Sequence, residues 1–432
     1  MTATRLDMAA WQRDLLQSEY SNMLSCVRCG LCLTSCPTYV LSLDETEGPR
    51  GRVGMMRALA DGELALTPDL VAHELSCLVC DACSAVCPAG VHMDPLQVAL
   101  RAAMEPLLRR PRAQRVLRHL VFRRLFADMR VFRAVARLLW LYQRLGLQAL
   151  ARRSGLLGLL GLAETERLLP PIAPRFLVPA DEVYPAQGAE PLRVALFAGC
   201  VMSTALADVD RATVRVLRRA GCEVVDPAGQ GCCGALNAHG GDLPGALALA
   251  KRTIAAFEAT GDAPVVVNSA GCGAMLKDYG HHLRDEPAWA ERARAFSARV
   301  RDVTELLVTR HLPVRRSLEL AVVYQDACHL AHAQRIKEQP RALLRRIPGL
   351  VLREVAESGL CCGSAGVYNV TNPRESRQLR DRKVGHIGAT DATVVLTANP
   401  GCLLQLRAGL ADADRPARVQ HLVELLDAAT AP

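Results

Sequence analysis

Aromatic side chains and lysine are both scarce in this sequence. Phe, Trp and Tyr make up 4% of its 432 residues, so its cores are built from Leu, Val and Ala rather than from stacked rings. Lysine occurs only at Lys251, Lys277, Lys337 and Lys383, against 52 Lys and Arg together. A bias that uniform follows genome composition as readily as function, and no single Arg stretch carries an argument alone. No uninterrupted apolar run approaches the roughly 20 residues that span a bilayer. The opening MTATRLDMAAWQRDLLQ contains acids and no apolar segment of signal-peptide length, so a cytoplasmic location is expected. A G-x-G-x-x-G fingerprint is also lacking: the glycines near Gly199 and Gly271 do not have its spacing, which argues against a dinucleotide site on this chain.

Half of the residues are apolar and 22% are charged, a composition that supports two or three globular domains at this length. Cysteine is abundant instead: 17 residues, 16 of them in repeated patterns. In a reducing compartment such a set reads as metal-binding before it reads as a disulfide framework.

The first pattern is Cys26-x2-Cys29-x2-Cys32-x3-Cys36-Pro37, and the second is Cys77-x2-Cys80-x2-Cys83-x3-Cys87-Pro88. A [4Fe–4S] cluster needs four thiolates. Three come from one tight loop, and the Cys before Pro reaches the neighbouring cluster. The spacing therefore predicts two clusters with crossed ligands: Cys26, Cys29, Cys32 and Cys87 for one, and Cys36, Cys77, Cys80 and Cys83 for the other. Zinc would use paired Cys-x2-Cys units and leave four thiols over. Between the runs, Asp44–Arg52 is expected to turn, with helix over Val53–Leu59 and Leu70–Leu75. Arg50 and Arg52 are candidates to stabilise the more negative, reduced clusters; the alternative is solvated or docking charge.

From Arg101 to Arg153 there are fourteen Arg and two acids, Glu105 and Asp128. Leu117, Val121, Leu125, Met129, Phe132, Ala136 and Leu139 recur at helical spacing, predicting amphipathic helices with an Arg-rich face. Trp140 and Tyr142 sit at the end of this region. Two uses stay open: attachment to an anionic membrane surface or an acidic partner subunit, or a helical linker packing one domain on the next. Nucleic acid is not expected, since no recognition motif accompanies the charge. Residues 154–191, rich in Gly, Leu and Pro, read as a connector.

The second half repeats itself. Cys200, Cys232-Cys233-Gly234 and Cys272 are echoed by Cys328, Cys361-Cys362-Gly363 and Cys402, at offsets of 128, 129, 129 and 130 residues. Short β-branched runs (Val194–Phe197, Val265–Val267, Leu320–Tyr324, Val394–Leu396) precede loop cysteines and read as buried parallel strands, with helices between them over Arg211–Arg219 and Pro340–Arg346. Each repeat is thus expected to be a Rossmann-like α/β unit that gathers its cysteines at the carboxyl ends of its strands. Those eight cysteines suit a further cluster or a redox thiol pair. Cys222 has no counterpart and reads as a buried structural thiol. His239, His281, His282, His329 and His332 are candidate protonatable neighbours. The expected layout is a mostly helical ferredoxin-like domain over 1–100, a basic helical connector over 101–190, and α/β repeats over 191–315 and 316–432.

This order resembles the iron–sulfur subunit of bacterial glycolate oxidase. The matches lie in Gly48-Pro49-Arg50-Gly51-Arg52, Ser269-Ala270-Gly271-Cys272-Gly273-Ala274, Cys361-Cys362-Gly363-Ser364-Ala365-Gly366 and Thr397-Ala398-Asn399-Pro400-Gly401-Cys402. Lactate-utilisation proteins, an anaerobic glycerol-3-phosphate dehydrogenase subunit and heterodisulfide reductase B-type subunits share the repeats. The resemblance implies two flavin-type partner subunits that carry FAD and oxidise glycolate to glyoxylate. Electrons would pass singly through the clusters toward a membrane quinone, on the inner face of the cytoplasmic membrane. The chain departs from the heterodisulfide reductase pattern where that pattern closes each repeat with Cys-x-x-Cys: Met275 and Gln405 take the second positions.

Overall fold

The computed structural model describes residues 8–159, 161–162, 166–167, 169–188 and 191–432. The N-terminal part is helical. Its helices at Pro37–Ser42, Pro49–Ala60 and Pro68–Leu75 each open on proline, whose fixed φ and missing N–H suit a first helical turn. The turn expected over Asp44–Arg52 ends early: a short 3₁₀ turn covers Glu45–Glu47 and the helix begins at Pro49. Arg50 and Arg52 therefore sit on a helix rather than in a loop. Leu16, Met23, Val53, Met56, Leu59, Leu96 and Leu100 form the core of this part.

The basic region is helical but broken. Helices cover Arg112–Leu120 and Met129–Arg144, with a π-helical stretch at Val121–Leu125 between them. Asp128 caps the second helix by accepting from the Arg130 N–H at 2.8 Å. The even helical spacing from Leu117 to Leu139 thus spans separate elements. Met129 and Ala136 are buried while Leu117 is exposed.

Nine strands follow among the described residues. β1 (Glu182–Tyr184), β2 (Leu192–Phe197), β3 (Cys222–Asp226), β4 (Val265–Val267) and β5 (Val300–Asp302) form one sheet in the order β1-β3-β2-β4-β5. β6 (Leu320–Tyr324), β7 (Leu350–Arg353), β8 (Val394–Thr397) and β9 (Arg418–His421) form the other, ordered β7-β6-β8-β9. Apart from the antiparallel β1, every pairing is parallel. The core order β3-β2-β4-β5 matches β7-β6-β8-β9, so the duplication seen in the cysteines is a duplication of topology. β2, β4, β6 and β8 are nearly all apolar because helices cover both faces.

The repeats share one interior. Val194, Leu196 and Val266 of the first sheet lie in the same apolar cluster as Val322, Tyr324, Val394 and Leu396 of the second. Cys222 is buried there, as its lone position suggested. Among the described residues no helix is long and apolar enough to cross a membrane.

Candidate thiol centres

The two Cys-x2-Cys-x2-Cys loops share one backbone. Arg28 and Gly30 in the first, and Val79 and Asp81 in the second, all have φ between +50° and +85°. These are the second and fourth residues after Cys26 and after Cys77. Two left-handed residues around the middle cysteine curl the chain so that three thiols face one centre. For Val79, a β-branched residue, that conformation is strained. Backbone N–H groups point at the sulfurs: Val79 N lies 3.4 Å from Cys77 Sγ, and Val91 N lies 3.4 Å from Cys87 Sγ.

Cys36, Cys77, Cys80 and Cys83 line a single small cavity of about 20 Å³, together with Pro37, Thr38, Pro49, Arg52, Leu78, Asp81 and Met93. Cys36 comes from the first motif and the other three from the second, the combination the spacing predicts. This inner set is buried or half-buried. Of the outer set, Cys29 is exposed, while Cys26, Cys32 and Cys87 are half-buried. Cys26 and Cys87 rest on the same apolar core, and burial pushes the Cys32 thiol up to about 11. A largely buried set of four soft donors, with the Val79 N–H aimed at the Cys77 sulfur, fits an iron–sulfur group. Among the described residues, no three His, Cys, Asp or Glu side chains close around a point suited to one ion.

In the repeats every motif cysteine follows a parallel strand: Cys200 after β2, Cys232 and Cys233 after β3, Cys272 after β4, and Cys328, Cys361, Cys362 and Cys402 after β6, β7 and β8. Each set of four is drawn together. Cys232 takes hydrogen bonds from Cys200 and Cys233, which hold its thiol low, and Cys233 also contacts Cys272. Cys362 is held low by Cys361 and Cys402, and Cys328 is lowered to about 7 by its bond with Cys361.

The glycine of each Cys-Cys-Gly is required by space. Gly234 and Gly363 have φ of +87° and +84°. A Cβ on Gly363 would lie 2.5 Å from the Ser376 carbonyl oxygen, and one on Gly234 would lie 3.1 Å from that of Ala246. In each repeat the second helix after the motif, Leu243–Glu258 or Pro373–Gly388, presses directly on it. Met275 and Gln405, which replace the closing cysteines, are both buried, and Gln405 Nε2 donates to Ser376 Oγ at 2.9 Å.

The inner set and the second repeat meet without a gap. Leu78, Cys80 and Ala82 share an apolar cluster with Cys361, Tyr368 and Leu379, and Cys328 packs against it. The His329 Nε2–H donates to the Val79 carbonyl at 2.8 Å. The first repeat's Cys200 and Cys232 are covered differently, by Met129, Phe126 and Phe132 of the basic region.

Three of the five candidate histidines serve the junction between domains: His329, His239 with Asp94 at 2.8 Å, and His281 with Glu19 at 2.8 Å. His332 donates to the Gly359 carbonyl within its own repeat. Burial lowers the fifth, His282, to about 4.

Sequence reasoning missed the cations beside the repeat thiols. The buried Lys383 ammonium bonds the Ser358 carbonyl at 3.0 Å and acts electrostatically on Cys361, Cys362 and Cys402. Arg252 acts likewise on Cys232. The two stand 131 residues apart, close to the repeat offset, and that spacing was the available signal.

Models of known families match along the chain: a 4Fe-4S dicluster domain over residues 25–91, the linker region of the glycolate oxidase iron-sulfur subunit over 113–169, and a cysteine-rich domain twice, over 194–277 and 322–407. The chain is 39% identical to the probable glycolate oxidase iron-sulfur subunit of Bacillus subtilis (strain 168), over 94% of this chain and 93% of that protein. It is 33% identical to the glycolate oxidase iron-sulfur subunit of Escherichia coli (strain K12), over 95% and 94%. Lactate utilization protein A of Bacillus licheniformis is 33% identical over 55% of this chain, in the cysteine-rich half.

Proposed function

The chain belongs to the glycolate oxidase iron–sulfur subunit family, and from that premise we propose that it carries electrons from a flavin-bearing partner subunit, which oxidises glycolate to glyoxylate, toward a quinone-type acceptor. Two flavin-type subunits make up the rest of the complex in this reading. A flavin converts hydride chemistry into single-electron steps, and a bound iron–sulfur cluster supplies one-electron reduction and oxidation. Cys26, Cys29, Cys32 and Cys87 hold the outer [4Fe–4S] cluster, and Cys36, Cys77, Cys80 and Cys83 hold the inner one. The single observation that supports the crossed assignment best is the cavity lined by Cys36 and the three loop cysteines of the other motif.

The exposure of Cys29 gives the outer set a surface toward a donor, whereas the packing of Cys80 against Cys361 favours the second repeat as the next station. That repeat's Cys328, Cys361, Cys362 and Cys402, with Lys383 beside them, are the better placed of the two sets to hold a further cluster. The first repeat's Cys200, Cys232, Cys233 and Cys272 form the corresponding set under the basic helices. Those helices rest on an anionic membrane surface at the inner face of the cytoplasmic membrane.

Anaerobic co-purification with the partner subunits tests the reading. Glycolate is expected to reduce the iron–sulfur signals of the assembled complex, with near eight iron and eight sulfide per chain from the N-terminal motifs. A complex that reduces dye with glycerol phosphate or lactate but not with glycolate would refute the substrate assignment. A Cys36→Ser variant that loses the same signal as Cys26→Ser would refute the crossed ligands.

A further inference from the structure

Arg52 is the largest side chain buried to under 2% exposure, and a guanidinium that deep must be held by specific partners. Its Nη1 donates to Thr38 Oγ1 at 3.0 Å and to the Glu47 carbonyl at 2.5 Å, and lies 4.0 Å from Cys36 Sγ. Its Nη2 donates to Glu47 Oε2 at 2.6 Å and to Ser76 Oγ at 2.7 Å. Its Nε donates to the His73 carbonyl at 3.1 Å. One planar group thus ties Cys36–Thr38, which leave the first motif, to His73–Ser76, which enter the second. Thr38 Oγ1 in turn sits 3.3 Å from Cys36 Sγ.

The other arginine of the same Gly-Pro-Arg-Gly-Arg stretch behaves differently. Arg50 is partly exposed, and its charge is taken up by a two-pronged pair with Glu45, at 2.5 and 3.0 Å. Its Nη1 also donates to the Arg28 carbonyl of the outer loop, at 3.1 Å. A single sequence motif therefore sends one solvent-screened guanidinium to the outer thiol set and one desolvated guanidinium to the inner set. Charge in a dry site acts far more strongly than charge near water.

We propose that Arg52 is the positioning and potential-setting residue of the inner thiol set alone: it holds the crossed ligand Cys36 over the second loop, and its fixed charge raises that site's reduction potential. A reduced cluster is one charge more negative, so a neighbouring guanidinium favours the reduced state. Glu47, bonded to Arg52, Ser76 and His73, is the opposing charge. This inference rests on the crossed ligand reading above.

The test is a redox titration of the full chain followed by electron paramagnetic resonance, with Cys36→Ser and Cys26→Ser first used to assign the inner and outer signals. Arg52→Gln is expected to lower the inner potential and leave the outer unchanged, while Arg52→Lys, which keeps the charge, returns the inner potential toward wild type. Glu47→Gln is expected to raise the inner potential. Two loaded clusters whose potentials move together, or an inner potential indifferent to both Arg52→Gln and Glu47→Gln, would overturn the proposal. Should Arg52→Gln bind only about half of the eight irons, with the inner signal missing, the positioning role is supported and the sign of the Glu47→Gln shift decides the electrostatic one. Loss of a single shared signal in both cysteine variants would instead count against the ligand assignment.

Discussion

The imidazole of His421, in the second repeat, donates its Nε2–H to the backbone carbonyl of Asn268 in the first, at 2.8 Å. Its Nδ1 accepts the Val423 N–H at 3.2 Å. Both ring nitrogens are thereby committed to the neutral form, and complete burial lowers the pKa from 6.5 to about 4. A proton on Nδ1 would face the Val423 N–H and break the cap of the last helix. The unfolded chain takes up this proton below pH 6.5 and the folded chain only near pH 4. The stability the neutral ring contributes is therefore complete above pH 6.5 and is lost as pH falls toward 4, by on the order of 3 kcal/mol at the limit. Denaturant unfolding at pH 7.5 and pH 5.5 should show this decline in the wild type. His421→Gln, which keeps a donor but cannot titrate, should lose less over the same interval. Equal losses in both proteins would refute the assignment.

Asp210 lies on the same path. Its Oδ1 accepts from Asn268 Nδ2 at 2.8 Å, and its Oδ2 is buried with no hydrogen-bond partner among the described residues. Burial raises the carboxyl from 3.8 to about 8. The folded state keeps this proton while the unfolded state releases it above pH 3.8, so the group's contribution is complete below 3.8 and is lost as pH rises to about 8. Asp210→Asn preserves the acceptor for Asn268 and removes the titration. The variant should be more stable than wild type at pH 8, by about 1–2 kcal/mol, with the advantage fading toward pH 5. A variant less stable at pH 8 would mean that the carboxylate is ionised and paired in the fold.

The Cys-Cys-Gly motifs invite a matched pair of substitutions. A Cβ at residue 363 meets backbone at 2.5 Å, whereas at residue 234 the closest backbone atom is 3.1 Å away. Both positions also require left-handed backbone, which costs a non-glycine residue about 1–2 kcal/mol. Gly363→Ala should therefore destabilise by about 3 kcal/mol or more and displace Cys361 and Cys362. Gly234→Ala should cost less. Thermal unfolding, together with thiol labelling of the apo chain, would read both effects; equal costs would show that strain rather than contact dominates.

Much of this was legible in the sequence because cysteine chemistry imposes spacing. The two cluster motifs and the repeat offsets carry the fold class, and the strand runs before Cys200 and Cys328 follow from parallel sheets buried on both faces. Arg52 was not legible as a buried group, because its partners Thr38, Glu47 and Ser76 come from three separate segments and nothing local marks it apart from Arg50. The break at Asp128 was hidden for a related reason. A helical period continues through a short interruption when the following helix resumes in phase, so Leu117 and Met129 read as one stripe although one faces solvent and the other covers Cys200. The link from Cys80 to Cys361 is a matter of domain docking, which motif spacing does not encode.

The basic helices lead to the last prediction. Twelve of the 24 exposed large apolar side chains among the described residues lie between Val116 and Leu162. On the helix Arg112–Leu120, Val116, Leu117 and Leu120 form one face, and none of its nine residues is buried. Val131, Val135 and Leu138 continue such a face outward from the helix Met129–Arg144, and the exposed Leu145 caps its end. Arg112, Arg115, Arg124, Arg130 and Arg144 lie in the same two helices or between them, without a carboxylate partner among the described residues. An outward apolar face beside unpaired cations suits the headgroup region of an anionic bilayer, where the leucines enter the acyl boundary and the guanidiniums meet phosphate. The full chain should sediment with phosphatidylglycerol vesicles and not with phosphatidylcholine vesicles, and added salt should weaken the binding. Leu117→Glu and Leu138→Glu, at positions 61% and 65% exposed, should leave folding intact and each reduce vesicle affinity about tenfold. Binding that ignores lipid charge, or that survives both substitutions while assembly with the partner subunits fails, would assign this face to a protein contact instead.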